Sequence, residues 1–225
     1  MYDVIGSLLP LGLAISFSPF PMIAIVLLLL TPRPRANGAA FLTGWLLAIL
    51  VATIAFTAVA KLVEQPDPSD PNAVAGVLRL LLGLSLLVLA VRKFIGGPKQ
   101  DAEGAPVLPG WISMMTSSTP GRSFTTGLLL AGANPKNLAF TAAAALSIGT
   151  GGLDASGVVW TIVLYVIVAA ITIILPLLGH LAFSARLMGP LEAMERWLLA
   201  NHTTVMAMLL VVFGVVLIGN GVASF

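Results

Sequence analysis

Lys136 stands midway through an apolar run, with a proline before it and an amide on either side. The stretch is Ala133-Asn134-Pro135-Lys136-Asn137, inside FTTGLLLAGANPKNLAFTAAAALSI from Phe124 to Ile148. A lysine at the centre of a spanning helix costs about 2.5–3.5 kcal/mol on insertion scales. Pro135 adds to that cost, because a helical proline lacks one N–H and releases the carbonyl four residues earlier. In lipid, such groups must be satisfied inside the protein or by water in a cavity. A second interruption, Ser16-Phe17-Ser18-Pro19-Phe20-Pro21, lies in the first apolar run. Ser16, Ser18, Asn134 and Asn137 carry the hydroxyls and amides expected to cap the half-helix ends. An N-terminal half-helix end offers N–H groups and partial positive charge, which suits an anion. No apolar run holds an Asp or Glu at the depth of Lys136. Three fates are therefore open to it: neutrality through burial, a snorkelled or watered position, or an anionic ligand. The purely structural alternative is a lysine held by the carbonyls that Pro19 and Pro21 release.

Two further ionisable side chains lie in or beside apolar runs. Arg79 falls in the first turns of the third run, where it can snorkel or line an exit path. His180 falls at the end of the fifth run, four residues after Pro176, where a kink is expected. It suits a capping or interfacial role, with a proton relay as the alternative. Thr43-Gly44-Trp45 and the small residues of TAAAALSIG favour close helix packing and suggest no chemistry. The chain has no cysteine, which excludes disulfides, thiolate metal sites and thiol redox relays. GTGGLDASG lacks the lysine of a phosphate-binding loop. No nucleophile, base and orienting group stand together. We therefore expect no enzyme activity, no metal site, no cofactor and no nucleic-acid partner.

The elements that must position these residues are membrane helices. Of 225 residues, 58% are hydrophobic and 9% charged, against about 25% charged in soluble domains. Mean hydropathy is +1.04. A bilayer core of about 30 Å needs roughly 20 helical residues. Six runs qualify, near 4–30, 38–62, 74–95, 124–148, 156–180 and 203–223. The first lacks a basic leader and a small-residue cleavage pattern, so it reads as a permanent span. Arg33, Arg35, Arg92, Lys93, Lys99, Arg122, Arg186 and Arg196 lie in connections one, three and five, whereas connections two and four hold only Lys61. The positive-inside rule then makes the first set cytoplasmic and puts both termini outside a plasma membrane. Within the last connection, PLEAMERWLL reads as a separate amphipathic helix on the cytoplasmic face. LPGWISMMTSS, before the fourth run, is a weaker interfacial candidate.

The two halves read as copies. LAISFSPFPMIA (Leu13 to Ala24) aligns with LLAGANPKNLAF (Leu129 to Phe140), setting Ser18-Pro19-Phe20-Pro21 on Asn134-Pro135-Lys136-Asn137. A second alignment brings Gly83 onto Gly214. Three spans per copy make the second copy inverted, an architecture recurrent in transporters. The predicted fold is thus an all-α membrane protein: two inverted three-helix repeats, 1–95 and 124–225, with broken first and fourth spans. A cytoplasmic linker, 96–123, joins them.

The broken first span, the NPK of the fourth and the duplicated six-span plan resemble the LysE superfamily of exporters. SPFPMIAIVLLLLTPRPRANGAAFLTGW and ANPKN are most similar to its GAP branch, which includes sulfolipid-addressing and glycopeptidolipid-addressing proteins. The resemblance implies export of a cell-envelope glycolipid or another anionic amphiphile. It places Ser18, Pro19, Pro21, Asn134, Pro135, Lys136 and Asn137 around the path; the residues themselves add Ser16, Arg79 and His180 as path or coupling candidates. A related branch carries electrons through paired cysteines, and others export metal cations; this chain lacks the ligands for either. Membrane lipids, a small-molecule substrate, a second copy of the chain and lipid-synthesis or export machinery are the expected partners. The alternatives are an amino-acid or other small-solute exporter and a non-transporting scaffold.

Overall fold

The computed structural model describes residues 2–62, 73–96, 115, 118–183 and 188–223. Among them are nine helices and no strand: α1 (Tyr2–Ser16), α2 (Pro19–Leu29), α3 (Pro34–Ala60), α4 (Ala73–Gly96), α5 (Pro120–Gly132), α6 (Pro135–Gly149), α7 (Ala155–Ala169), α8 (Ile171–Phe183) and α9 (Met188–Val222). Helix starts follow local chemistry. Proline opens α2, α3, α5 and α6, at the first helical position, where its missing N–H has no intrahelical partner anyway. Asp154 caps α7 by accepting from the Gly157 N–H at 2.9 Å.

By length and composition, α3 and the Thr203–Val222 part of α9 can each cross a bilayer. Two bent pairs add a span each: α1 with α2 at 57°, and α7 with α8 at 66°. The protein is therefore an α-helical membrane protein with two to four such candidate spans among its described residues. The first and fourth predicted runs are each split, at Phe17-Ser18 and at Ala133-Asn134. Two expectations need correction. Pro176 lies inside an unbroken α8, and the fifth run breaks at Ala170 instead. PLEAMERWLL is also not a separate helix, since it continues into α9, which runs for 35 residues. At 1.5 Å per residue α9 is about 52 Å long, well beyond the hydrocarbon thickness. Most of the linker 96–123, including most of LPGWISMMTSS, lies outside the described residues.

Close approach of backbones assembles the bundle. Helix α3 packs on α5 and α6, and α4 on α9. A Cβ added at Gly44 would lie 2.1 Å from the Phe124 carbonyl oxygen, and one at Gly127 2.2 Å from that of Phe41. The α3–α5 contact is thus backbone against backbone. In the other pair, Gly83 and Gly214 face each other, with an added Cβ at Gly83 meeting the Gly214 oxygen at 2.8 Å. Lipid chains are as apolar as leucine, so such packing must come from dispersion between closely fitted surfaces. The core is filled by Trp45, Tyr165, Phe41, Phe140 and Ile15, all buried.

Candidate functional site: three helix breaks around a buried lysine

At the first break the Ser18 N–H turns back to the Ser16 carbonyl at 2.7 Å. It therefore does not continue the ladder to Ala14. The Nζ of Lys136, reaching across from α6, donates to the Ala14 carbonyl at 2.9 Å. It also lies 5.9 Å from the centroid of the Phe140 ring. Lys136 is only 2% exposed, which excludes a snorkelled position. Among the described residues no acidic side chain pairs with it. A backbone carbonyl does hold the lysine, as the structural alternative expects, but not the one expected. The anchoring carbonyl is Ala14's, freed by the turn at Ser18, and not one released by Pro19 or Pro21.

The second break is closed by its own amides. The Asn134 Oδ1 accepts from the Lys136 N–H at 3.0 Å, capping α6. Pro135 cannot donate to the Ala131 carbonyl, and the Asn137 Nδ2 does so instead, at 3.2 Å. Ser18 adopts the same extended backbone as Asn134, with φ/ψ of −97°/123° against −83°/115°. Here, however, the expected cap fails, and Ser18 Oγ makes no hydrogen bond. An N-cap side chain serves the second or third helical N–H, and Pro21 has removed the third. Asn137 Oδ1 is likewise buried without a hydrogen-bond partner. Each of the two breaks thus keeps one unsatisfied polar atom.

The third break, at Ala170, draws Ser16 away from its expected role. Ser16 does not cap α2. Its Oγ accepts from the Thr172 N–H at 3.1 Å, so it caps α8 from another helix. The Thr172 hydroxyl in turn donates to the Ser16 carbonyl at 2.6 Å. The Ala169 carbonyl accepts from Trp45 Nε1 at 3.1 Å. One turn beyond Asn137 on α6, the buried Tyr165 hydroxyl donates to Thr141 Oγ1 at 3.4 Å. The structure therefore gathers Lys136, Asn134, Asn137, Ser16 and Ser18 at or beside linked breaks. It leaves the other two candidates apart. His180 is buried about 15 Å further along α8 from Ala170 at 1.5 Å per residue. Arg79 lines cavities at the end of the bundle that holds Asp3 and Asn220.

Comparison with known proteins now bears on this arrangement. The sequence profile of the family described as Sap, sulfolipid-1-addressing protein, matches residues 8–223. The chain belongs to the Sap family. The match takes in all three breaks and Arg79. No curated protein and no solved structure matches the chain significantly.

Thr172, Trp45, Tyr165 and Thr141 border the candidate site of this Sap-family chain and escape sequence reasoning. Trp45, expected only to pack, also bonds to the Ala169 carbonyl. The only signal was polarity inside apolar runs, and VAAITII around Ala170 contains neither proline nor glycine to mark a break. The break is stabilised by partners from α1 and α3, far away in sequence.

Proposed function

We propose that this Sap-family protein is a plasma-membrane secondary transporter that exports an anionic amphiphile, a cell-envelope glycolipid or a lipid of similar chemistry. The observation that carries this reading is the centre of the bundle. A buried lysine there is anchored, among the described residues, by a backbone carbonyl and an aromatic face. Beside it, Ser18 Oγ and Asn137 Oδ1 are buried without hydrogen-bond partners. Buried polar atoms are normally satisfied, and a ligand or water entering on opening of the breaks would satisfy these. The family description, which names a sulfolipid, supports an anionic lipid as cargo.

In this reading the structure is an occluded state. Repeats 1–95 and 124–225 form two inverted three-span halves with both termini outside, and 96–123 lies in the cytoplasm. Rocking one half against the other breaks the Lys136–Ala14 bond and frees the amino group to meet an anionic headgroup. The Ser16–Thr172 bonds also cross between the halves, so the same rocking must part them. No enzyme activity is involved.

The test is lipid movement in proteoliposomes. Acyl-chain-labelled phosphatidylglycerol should cross between leaflets in a protein-dependent way, with labelled phosphatidylcholine at background. Lys136→Met should abolish the difference. Unchanged phosphatidylglycerol movement in a folded Lys136→Met protein would refute the central site. Absence of movement by the native protein would shift the reading to a small-solute exporter or a scaffold. A scaffold would further tolerate Lys136→Met in cells while failing on changes in 92–123 or 184–200.

A further inference from the structure

Arg79 is half-buried. It lines two overlapping cavities, of about 380 and 290 Å³, shared with side chains of α1, α6 and α9. Ser7, Ser147 and Asn220 line both cavities with it. Asp3 lines only the wider, more open cavity. Among the described residues that line the deeper cavity, Arg79 is the charged one. The floor of the deeper cavity includes Leu11 and Ala143. Each is three residues, or about 4.5 Å of helix, from a residue of the central site: Leu11 from Ala14, and Ala143 from Phe140.

We infer that this vestibule is a second anion-binding site, in which Arg79 holds an oxyanion headgroup after it leaves, or before it reaches, the Lys136 centre. A guanidinium presents a planar fork of donors that matches sulfate, phosphate and carboxylate oxygens. The Asn220 amide adds donors. The Ser7 and Ser147 hydroxyls bond to the Val4 and Ala143 carbonyls. Both hydroxyls rotate freely enough to turn to a charged acceptor, which is the stronger partner. The volume suits a headgroup, and the apolar floor suits the start of a chain. Binding here does not depend on the transporter reading; only the site's place along a transport path rests on it.

Binding to the purified full-length protein in maltoside tests this. Native mass spectrometry titrates phosphatidylglycerol against phosphatidylcholine, and equilibrium dialysis titrates sulfate alone. Arg79→Gln should weaken phosphatidylglycerol binding at least about tenfold, as expected for a lost charge-assisted hydrogen bond, and leave phosphatidylcholine unchanged. Arg35→Gln, which removes an exposed cation that lines neither cavity, should shift it less than threefold, so that the loss is specific to Arg79. Dependence of sulfate binding on Arg79 would support the site as one for free oxyanions; dependence of phosphatidylglycerol alone would support a lipid headgroup. If neither ligand responds to Arg79→Gln, the inference is overturned. Should that variant fail to fold, a phosphatidylglycerol carrying a photoreactive headgroup is applied to the unaltered protein. Labelling of peptides holding Ser7, Ser147 or Asn220 supports the site, and labelling confined elsewhere overturns it.

Discussion

Lys136→Met removes the amino group and keeps most of the stem, so its energetic effect can be worked out from the contacts. The Ala14 carbonyl loses the Lys136 donor and stays buried, a loss of about 1–3 kcal/mol. The contact with the Phe140 ring, at 5.9 Å, contributes roughly 0.5–1 kcal/mol more. Against these stands the cost of placing a lysine in the membrane at all, about 2.5–3.5 kcal/mol. The two sides nearly cancel, so the variant should match the native protein within about 1 kcal/mol. For a chain of this length that is a shift of about 2–4 °C in melting temperature. Protein-dependent transfer of phosphatidylglycerol should nevertheless fall at least tenfold, because in the proposed mechanism the lost group is the one that meets the anion. The assay pairs thermal unfolding in maltoside with the leaflet-exchange measurement on the same preparation. A fall of more than about 3 kcal/mol in stability with transfer intact in the folded fraction would refute the reasoning. The lysine would then be a structural plug, holding α6 to α1.

Three more outcomes follow from the same geometry. Gly44→Ala and Gly127→Ala should each destabilise by more than about 3 kcal/mol, because their new Cβ atoms meet backbone oxygens at 2.1 and 2.2 Å that cannot yield cheaply. Gly121→Ala, with nothing within 4 Å, is the control, and melting curves of the three decide it. In a double-mutant cycle, Ser16→Ala and Thr172→Val should show a coupling of about 1–2 kcal/mol in unfolding free energy, since the Ser16 hydroxyl also donates to Thr172 Oγ1 at 3.1 Å and either change removes that bond; additivity would show that the link between the side chains is energetically idle. Asn137→Leu should cost about 1–3 kcal/mol through the orphaned Ala131 carbonyl, whereas Ser18→Ala should be near neutral in stability because its Oγ makes no hydrogen bond; equal losses in a melting assay would contradict the assigned bonds.

Sequence alone determined the class of this protein and where its chain is forced out of regular helix by proline. Few charges and long apolar runs leave no other medium for it, and Pro19 and Pro135 cannot donate to the carbonyls four residues back. Both effects act within a few residues, so they are legible without a fold. Asn134 and Asn137 were legible for the same reason, since each closes the break beside which it stands. The partner of Lys136 was not, because the Ala14 carbonyl is freed by a turn at Ser18 and offered by a helix 122 positions away. The break at Ala170 was invisible. Its sequence has no helix breaker, and the bonds that stabilise it come from Ser16, 156 positions from Thr172, and from Trp45. Ser16 could equally have capped its own neighbouring helix by local rules. Which helix it caps depends on α1 lying beside α8, and only the packing of the whole bundle places them together.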